Sequence, residues 1–397
     1  MARQNTSERK APLKALHKKN NTKASEAEGL VRVRSGVDRP FLLIVLVLVA
    51  LGTIMVFSAS YAYAKQNYHD SYFFATRQIR WVAVGLAAMF GMSYFVDYLV
   101  IRRFQKIFFI VSMVFMALVP FFGFEAGGAT RWFQLGAITF QPSEFAKLAI
   151  ILFFADYIAR DKGAKYTPIG QFLPYVAVGG YMMLTLVLEP HISCCIIVLL
   201  LIFTLMMFGG VSKKIVAVLV IAVLIVLVAA VFIFPHARER ILAWLHPEQH
   251  EDKAWQPLQS LYAIGSGGFW GVGLGQSTQK HLYLPEPQND YIFSILCEEL
   301  GFMFAVSVIA LFVALIWRGI YIAKHSPSIY SCLVVVGIVA QVGIQAFLNI
   351  AVVTNTLPST GIPLPFFSYG GTSLIILMAE MGIVLNISRY SYSRKDK

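Results

Sequence analysis

The sequence predicts an all-α polytopic membrane protein of about ten transmembrane helices, with one large extracytoplasmic loop between the seventh and eighth. Three observations predict it. Of 397 residues, 57% are hydrophobic and only 14% charged, where a soluble chain carries roughly 25% charged residues. The apolar residues gather in long runs, most of them near the ~20 residues that a spanning helix needs. Lys and Arg collect at one alternate set of run ends, which is the pattern of a chain threaded through a membrane.

Residues 1–40 carry Arg3, Arg9, Lys10, Lys14, Lys18, Lys19, Lys23, Arg32, Arg34 and Arg39 with few large apolar residues. A disordered, basic cytoplasmic tail beside an anionic leaflet is expected. No signal-peptide pattern is present, because the charged region is too long and the first apolar run outlasts a cleavable core. The runs follow at Phe41–Ala64, Trp81–Phe95, Ile107–Phe124, Phe145–Ala159, Phe172–Leu188, Ile192–Gly210, Ile215–Phe234, Tyr291–Ile316, Tyr330–Val353 and Ser368–Ile387. Two are short or marked by charge: Trp81–Phe95, and Phe145–Ala159 with Lys147 and Asp156.

With the tail inside, the inner connections hold Arg102, Arg103 and Lys106, then Arg160, Lys162 and Lys165, then Lys213 and Lys214, then Arg318 and Lys324. The C-terminal residues 389–397 add Arg389, Arg394, Lys395 and Lys397. The outer connections at 189–191 and 354–367 have no Lys or Arg; the first outer connection, with Lys65, Arg77 and Arg80, is the exception. The balance places both termini in the cytoplasm, a transmembrane domain over 41–388, and the polar stretch 235–290 outside a cytoplasmic membrane.

A net charge of +12 does not point to nucleic acid, since most of the positive charges mark topology. Cys194, Cys195, Cys297 and Cys332 all lie in apolar runs, so they read as small buried hydrophobes rather than a disulfide or zinc framework. No internal repeat of the kind common in secondary transporters is evident.

Four outer-face stretches carry polar chemistry. Gly127–Phe133 leads to Gln141-Pro142-Ser143-Glu144, and Glu144 and Lys147 share a helix face. Lys147 sits inside a spanning run, where ionisable groups are functional candidates. Leu188-Glu189-Pro190-His191 is equally a tight hairpin or a site. In the long polar stretch, the Gly-rich 265–275 lacks the strand and helix of a dinucleotide motif and reads as turns. His246 and His250 read as solvated loop residues. Asp290 follows Glu286 by four residues and precedes Glu298 by eight, so it is either a helix cap or one of three converging acids. The last stretch, 357–373, has three prolines and a set of glycines that forbid a regular helix; such backbone at membrane depth lines a cavity or is buried in protein. Gln341, Gln345 and Asn349 recur every four residues and read as interhelical hydrogen-bond partners.

Together these stretches resemble the SEDS family (shape, elongation, division and sporulation), which includes FtsW, RodA and SpoVE. The resemblance rests on Gly128-Ala129-x-Arg131-Trp132, Gln141-Pro142-Ser143-Glu144-x-x-Lys147, Leu284-Pro285-Glu286-x-x-x-Asp290-x-Ile292-Phe293, Glu298-Glu299-Leu300-Gly301 and Pro363-Leu364-Pro365-Phe366-x-Ser368-Tyr369-Gly370-Gly371. It runs from about residue 40 to 390 and leans towards the FtsW branch. It implies a peptidoglycan glycosyltransferase that polymerises lipid II on the outer membrane face beside a class B penicillin-binding protein, other divisome or elongasome proteins and membrane lipids. It implies that Asp290 is the essential acid and matches Trp132 to the family's motif tryptophan. The family's Gln-Pro-Asp-x-Gly-Thr reads here Glu189-Pro190-His191-Ile192-Ser193-Cys194, so no role passes to His191.

On that resemblance an inverting transfer is expected. Asp290 is the candidate base, and Arg131, Lys147 and Lys280 are candidates to offset diphosphate charge. Trp132, Glu286 and Ser368 complete the candidate substrate-binding set. A divalent cation, Mg²⁺ or Mn²⁺, is expected between the diphosphate and Glu144 or Glu298. Two other classes stay open: a lipid II flippase or other transporter, which the intramembrane charges also fit, and a non-catalytic scaffold for a cell-wall synthase.

Overall fold

Backbone N–H and C=O groups inside a bilayer have no water to bond, so apolar runs of this length close their hydrogen bonds as helices. A computed structural model describes residues 30–34, 36–126, 129–136, 138–160, 168–189, 191–221, 232 and 235–394. The helices are α1 (Arg39–Tyr68), α2 (Phe73–Tyr94), α3 (Tyr98–Phe122), α4 (Pro142–Arg160), α5 (Pro168–Leu188), α6 (Ile192–Phe208), α7 (Pro235–Leu245), α8 (Glu251–Gly267), α9 (Ile292–Lys324), α10 (Ile329–Val353) and α11 (Gly371–Ser388). Among the described residues, five are long and apolar enough to cross a membrane: α1, α3, α9, α10 and α11. Two apolar segments are shorter, Leu173–Leu188 in α5 and Ser193–Phe208 in α6. The run Ile215–Phe234 lies largely outside the described residues, with 213–221 helical. Most of the N-terminal tail and part of the inner connection with Lys162 and Lys165 also lie outside them.

The structure corrects the sequence reading in four places. The first outer connection is only the turn at 69–72, because α1 and α2 continue past their apolar runs and carry Lys65, Arg77 and Arg80 as exposed helical residues. The chain is not wholly α. Strands β2 (Phe124–Ala126), β3 (Ala129–Leu135) and β4 (Ile138–Phe140) form an antiparallel sheet that presents Arg131 and Trp132. The disorder expected of 1–40 does not extend to 30–34, since β1 (Leu30–Arg34) pairs antiparallel with β5 (Tyr390–Arg394) and puts these two segments on one side of the bundle. Finally, the polar stretch after residue 235 is largely helical. Glu251 and Asp252 suit the first turn of α8, and its buried face of Ala254, Pro257, Ser260, Ala263 and Gly267 is small enough for close packing on α9.

The glycine-rich turn after α8 has a mechanical role. Gly301 interrupts α9 with φ 77° and ψ 179°, a backbone open only to glycine. The turn fills that break: Val272 and Gly273 donate to the carbonyls of Glu298 and Glu299 at 2.9 Å, and Phe302 donates to Gly268 at 3.0 Å. A methyl on Gly271 would stand 2.3 Å from the Glu299 carbonyl oxygen, so the approach is between backbones and not towards a substrate. The core is deepest around α10 and α11, whereas α3 turns Phe104, Ile107, Ile110 and Val114 outwards as a bilayer-facing surface requires.

Candidate active site

The irregular stretch 357–373 and the end of the polar stretch are built against each other. Ser368 Oγ donates to the Asn289 carbonyl at 2.7 Å, and the Tyr369 N–H to the Gln288 carbonyl at 2.9 Å. Asn349 Nδ2, on α10, donates to the carbonyls of Asp290 and Ile362, each at 2.7 Å. These bonds fix the backbone of 288–290, with Asn349 on Asp290 itself and 368–369 on the two residues before it. The N-cap of α9 is Tyr291, so Asp290 is not the cap. Its carboxylate instead lies against Gly361, where a methyl would stand 3.1 Å from Oδ2 and where φ is +68°. Glycine suits the backbone there, and any side chain would press on the Asp290 carboxylate.

Burial pushes the Asp290 carboxyl up to about 6; Arg131 and Arg240 pull it down and Glu286 pushes it up. Arg131 reaches this point from β3, its Nε donating to the Glu189 carbonyl at 3.4 Å. Burial lowers its affinity for a proton, Arg240 adds to that effect, and Asp290 and Glu189 oppose it. Arg240, on α7, donates to the Ser359 carbonyl at 3.3 Å and borders a cavity of about 210 Å³ shared with Trp244, Lys253 and Asn355. The result is a carboxylate within the electrostatic influence of two guanidinium groups, at the junction of all four stretches picked out from the sequence. Such a group is ionised at neutral pH yet more basic than an ordinary aspartate, which suits proton abstraction from a hydroxyl.

The other predicted residues separate by role. Glu286 is exposed at the rim; it accepts from Asn289 Nδ2 at 2.7 Å and from Tyr63 OH at 3.3 Å. Trp132 is half-buried on β3 opposite Phe124. Ser368 braces backbone, as described. Lys147 is buried on the first turns of α4 and pairs with Glu144 at 2.7 Å. Lys280 is likewise 3% exposed and pairs with Glu299 at 2.9 Å, so both lysines of the expected diphosphate set spend their charge on acids and Arg131 is left as its basic member. Glu298 is likewise drawn away, with its oxygens taken by Ser277 Oγ and by the N–H groups of Thr278 and Gln279. The three acids therefore do not converge: Glu298 anchors the turn 277–280, while Glu286 and Asp290 stay together. Among the described residues no group of three His, Cys, Asp or Glu is arranged to hold a metal ion. With Glu144 committed to Lys147 and Glu298 to the turn, these residues do not fit the expected divalent cation.

Sequence reasoning missed two residues. Glu380, fully buried on α11, accepts from Gln341 Nε2 at 3.1 Å and acts electrostatically on Lys147; an acid inside an apolar run was its visible signal. Arg240 had no such signal, being one charge among many in a polar stretch. At the far end of α4, Asp156 is neutralised by Arg102 and Arg160 at 2.8 and 2.6 Å, so its place in a span is structural.

The family model described as "Cell cycle protein", FtsW/RodA/SpoVE, matches residues 38–393. The chain is 38% identical over 362 residues to "Stage V sporulation protein E" of Bacillus subtilis (strain 168), covering 90% of this chain and 98% of that protein. It is 35% identical over 359 residues to the "Probable peptidoglycan glycosyltransferase FtsW" of Geobacter sp. (strain M18), covering 89% and 97%. A chain from the structure "Structural coordination of polymerization and crosslinking by a peptidoglycan synthase complex" is similar with a TM-score of 0.73 at 26% identity, over 89% of this chain and 98% of that one. The crystal structure of a variant of the Thermus thermophilus rod shape determining protein RodA is similar with a TM-score of 0.68 at 25% identity, over 90% and 99%.

Proposed function

This chain belongs to the FtsW/RodA/SpoVE family, and on that premise we propose that it is a peptidoglycan glycosyltransferase of division or cell shape, polymerising lipid II at the outer face of the membrane with Asp290 as base. The observation that carries the base assignment is the position of Asp290, whose carbonyl is held by Asn349, whose neighbour Asn289 is held by Ser368, and whose carboxyl feels the charges of Arg131 and Arg240. The donor sugar is α-linked to a lipid diphosphate and the product linkage is β-1,4, so configuration inverts. In one displacement, Asp290 takes the proton of the acceptor's 4-hydroxyl as its oxygen bonds to the donor's anomeric carbon. The bond from that carbon to the diphosphate oxygen breaks, and the lipid diphosphate leaves with the bonding pair. Arg131 offsets the charge that develops there, an interaction stronger in the transition state than before it. Asp290 then returns its proton to solvent.

A class B penicillin-binding protein as partner accords with the synthase complex whose chain this one resembles. The test uses purified protein with such a partner and lipid II. Wild type is expected to yield glycan polymer and Asp290→Asn none. Normal polymer from Asp290→Asn sinks the base. Lipid movement across sealed vesicles without polymer would favour a flippase, and neither activity a scaffold.

A further inference from the structure

The cavity of about 210 Å³ beside Arg240 has no part in the displacement just described. It lies between α7, α8 and residues 355–359, at the end of α10 that also holds Asp290. Its space comes from small buried residues, Ala243 on α7 and Ala254 and Pro257 on α8. Its walls are tied to the bundle. Trp244 Nε1 donates to the Asn355 carbonyl at 2.8 Å and Arg240 to the Ser359 carbonyl at 3.3 Å, which fixes α7. Ser260 Oγ, on α8, donates to the Val353 carbonyl at 2.6 Å. The cavity is therefore pre-formed, as binding sites for small groups usually are.

The lining selects the chemistry of the occupant. Lys253 is paired with Glu239, which leaves Arg240 and Asp252, one charge of each sign. A phosphate or any multiply charged group finds no excess of opposite charge there. Asp252 only accepts hydrogen bonds, Arg240 only donates, and the amides of Gln256 and Asn355 do both. Trp244 has given its one N–H to Asn355, so its ring is an apolar wall. Mixed donors and acceptors beside an aromatic wall fit an uncharged group with hydroxyls and amides on several sides and an apolar face. An N-acetylated sugar ring has that character. The volume agrees, since pockets for drug-sized ligands run to about 300–1,000 Å³ and this smaller one has room for a single ring.

The cavity is also coupled to the base. Ser359, at its edge, shares a hydrogen bond between hydroxyls with Tyr291 at 3.1 Å, and Tyr291 follows Asp290 in the chain. Two residues beyond Ser359, Gly361 lies against the Asp290 carboxylate. Arg240 lines the cavity and acts on that same carboxyl. We propose that this cavity is a holding subsite for a non-reacting N-acetylated sugar of the growing glycan strand, which keeps the strand bound between transfers. The inference rests on the glycosyltransferase reading and deepens it. A polymerase that releases its strand after each transfer makes short products. A neutral subsite beside the reacting sugars retains the strand and still lets it slide by one repeat, because no full charge has to be separated.

The experiment has two arms. In the first, the full chain in nanodiscs is titrated with chitotetraose, an uncharged β-1,4-linked oligomer of N-acetylglucosamine, and with maltotetraose, which lacks the acetamido groups. Wild type is expected to bind chitotetraose about tenfold more tightly, the effect of one or two well-made hydrogen bonds. Gln256→Ala removes an amide and Ala254→Leu fills the space, and each is expected to weaken chitotetraose about tenfold. In the second arm, the chain with its class B penicillin-binding protein polymerises lipid II and strand length is read from gels. Both variants are expected to give strands about threefold shorter, because affinity is lost mostly as faster release. A purely structural defect lowers the thermal midpoint and the amount of polymer and leaves the length distribution as it was. Wild type with no preference for chitotetraose overturns the proposal, as does wild-type affinity or wild-type strand length in Gln256→Ala. If Ala254→Leu does not fold, Gln256→Ala decides alone. Polymer without chitotetraose binding overturns the subsite and leaves the glycosyltransferase reading standing. Chitotetraose binding that Gln256→Ala weakens, with no polymer from wild type, sinks that reading and leaves the sugar site standing.

Discussion

Lys280 and Glu299 form a buried ion pair at 2.9 Å, with side chains 3% and 0% exposed, and Ser58 Oγ from α1 completes the Glu299 carboxylate at 2.6 Å. This pair ties the polar stretch, α9 and α1 into one unit some distance along the chain from Asp290. Glu298, the adjacent acid, grips the same turn through Ser277 and Thr278. Two acids that look catalytic in sequence thus work as anchors.

Lys280→Met is therefore expected to act on stability and not on chemistry. Removing one partner of a buried pair leaves an uncompensated charge and costs about 3–5 kcal/mol. The thermal midpoint in detergent should fall sharply, and the double variant Lys280→Met, Glu299→Gln should recover part of the loss. A Lys280→Met protein with unchanged midpoint and a raised KM would return this lysine to the substrate site.

The acid limb of the pH–rate profile should report Asp290. Its carboxyl is raised from 3.8 to about 6, and a base must be ionised, so polymerisation is expected to decline as pH drops through about 6. The stability sign is the opposite one. A raised folded value means that protonation favours the folded state, so this group's contribution is lost as pH rises from about 4 through about 6. Asp290→Asn cannot ionise and should be at least as stable as wild type at neutral pH while forming no polymer. Thermal melts beside gel assays of glycan length check both halves.

Arg131→Gln should move that limb. Arg131 pulls the Asp290 carboxyl down, so its removal lets the carboxyl rise and shifts the acid limb to higher pH. The rate should drop by more than tenfold at neutral pH, because stabilisation of the leaving diphosphate is lost with the same guanidinium. A lower rate with an unmoved limb would place Arg131 away from Asp290 in the working protein.

Gly301→Ala tests the break in α9. With φ at +77°, an added side chain is strained by about 1–3 kcal/mol from the backbone alone, and its Cβ would meet the Gly271 nitrogen at 2.3 Å. A lower thermal midpoint is expected, together with faster amide exchange in residues 267–273, which lose their seat. Undisturbed exchange there would argue that the turn does not depend on the break.

Much of this protein was legible before any coordinates. Run lengths placed the five clear spans, because a helix that meets lipid has to be apolar for about 20 residues. Local motifs marked Asp290, Arg131 and the irregular 357–373, because Pro, Gly and charge at a membrane boundary are costly without a use. Helix ends were less legible: α1 and α2 run past their apolar residues, since hydrogen bonding does not stop where hydropathy does. What only the tertiary structure decided is which charge meets which. Lys147 in a spanning run and Lys280 in the polar stretch are both neutralised by acids, and Arg240, unmarked in the sequence, is brought within electrostatic reach of Asp290 by the packing of α7 against 355–359. Charge pairing depends on distances of a few ångströms between segments a hundred or more residues apart, and no pattern along the chain encodes those distances one pair at a time.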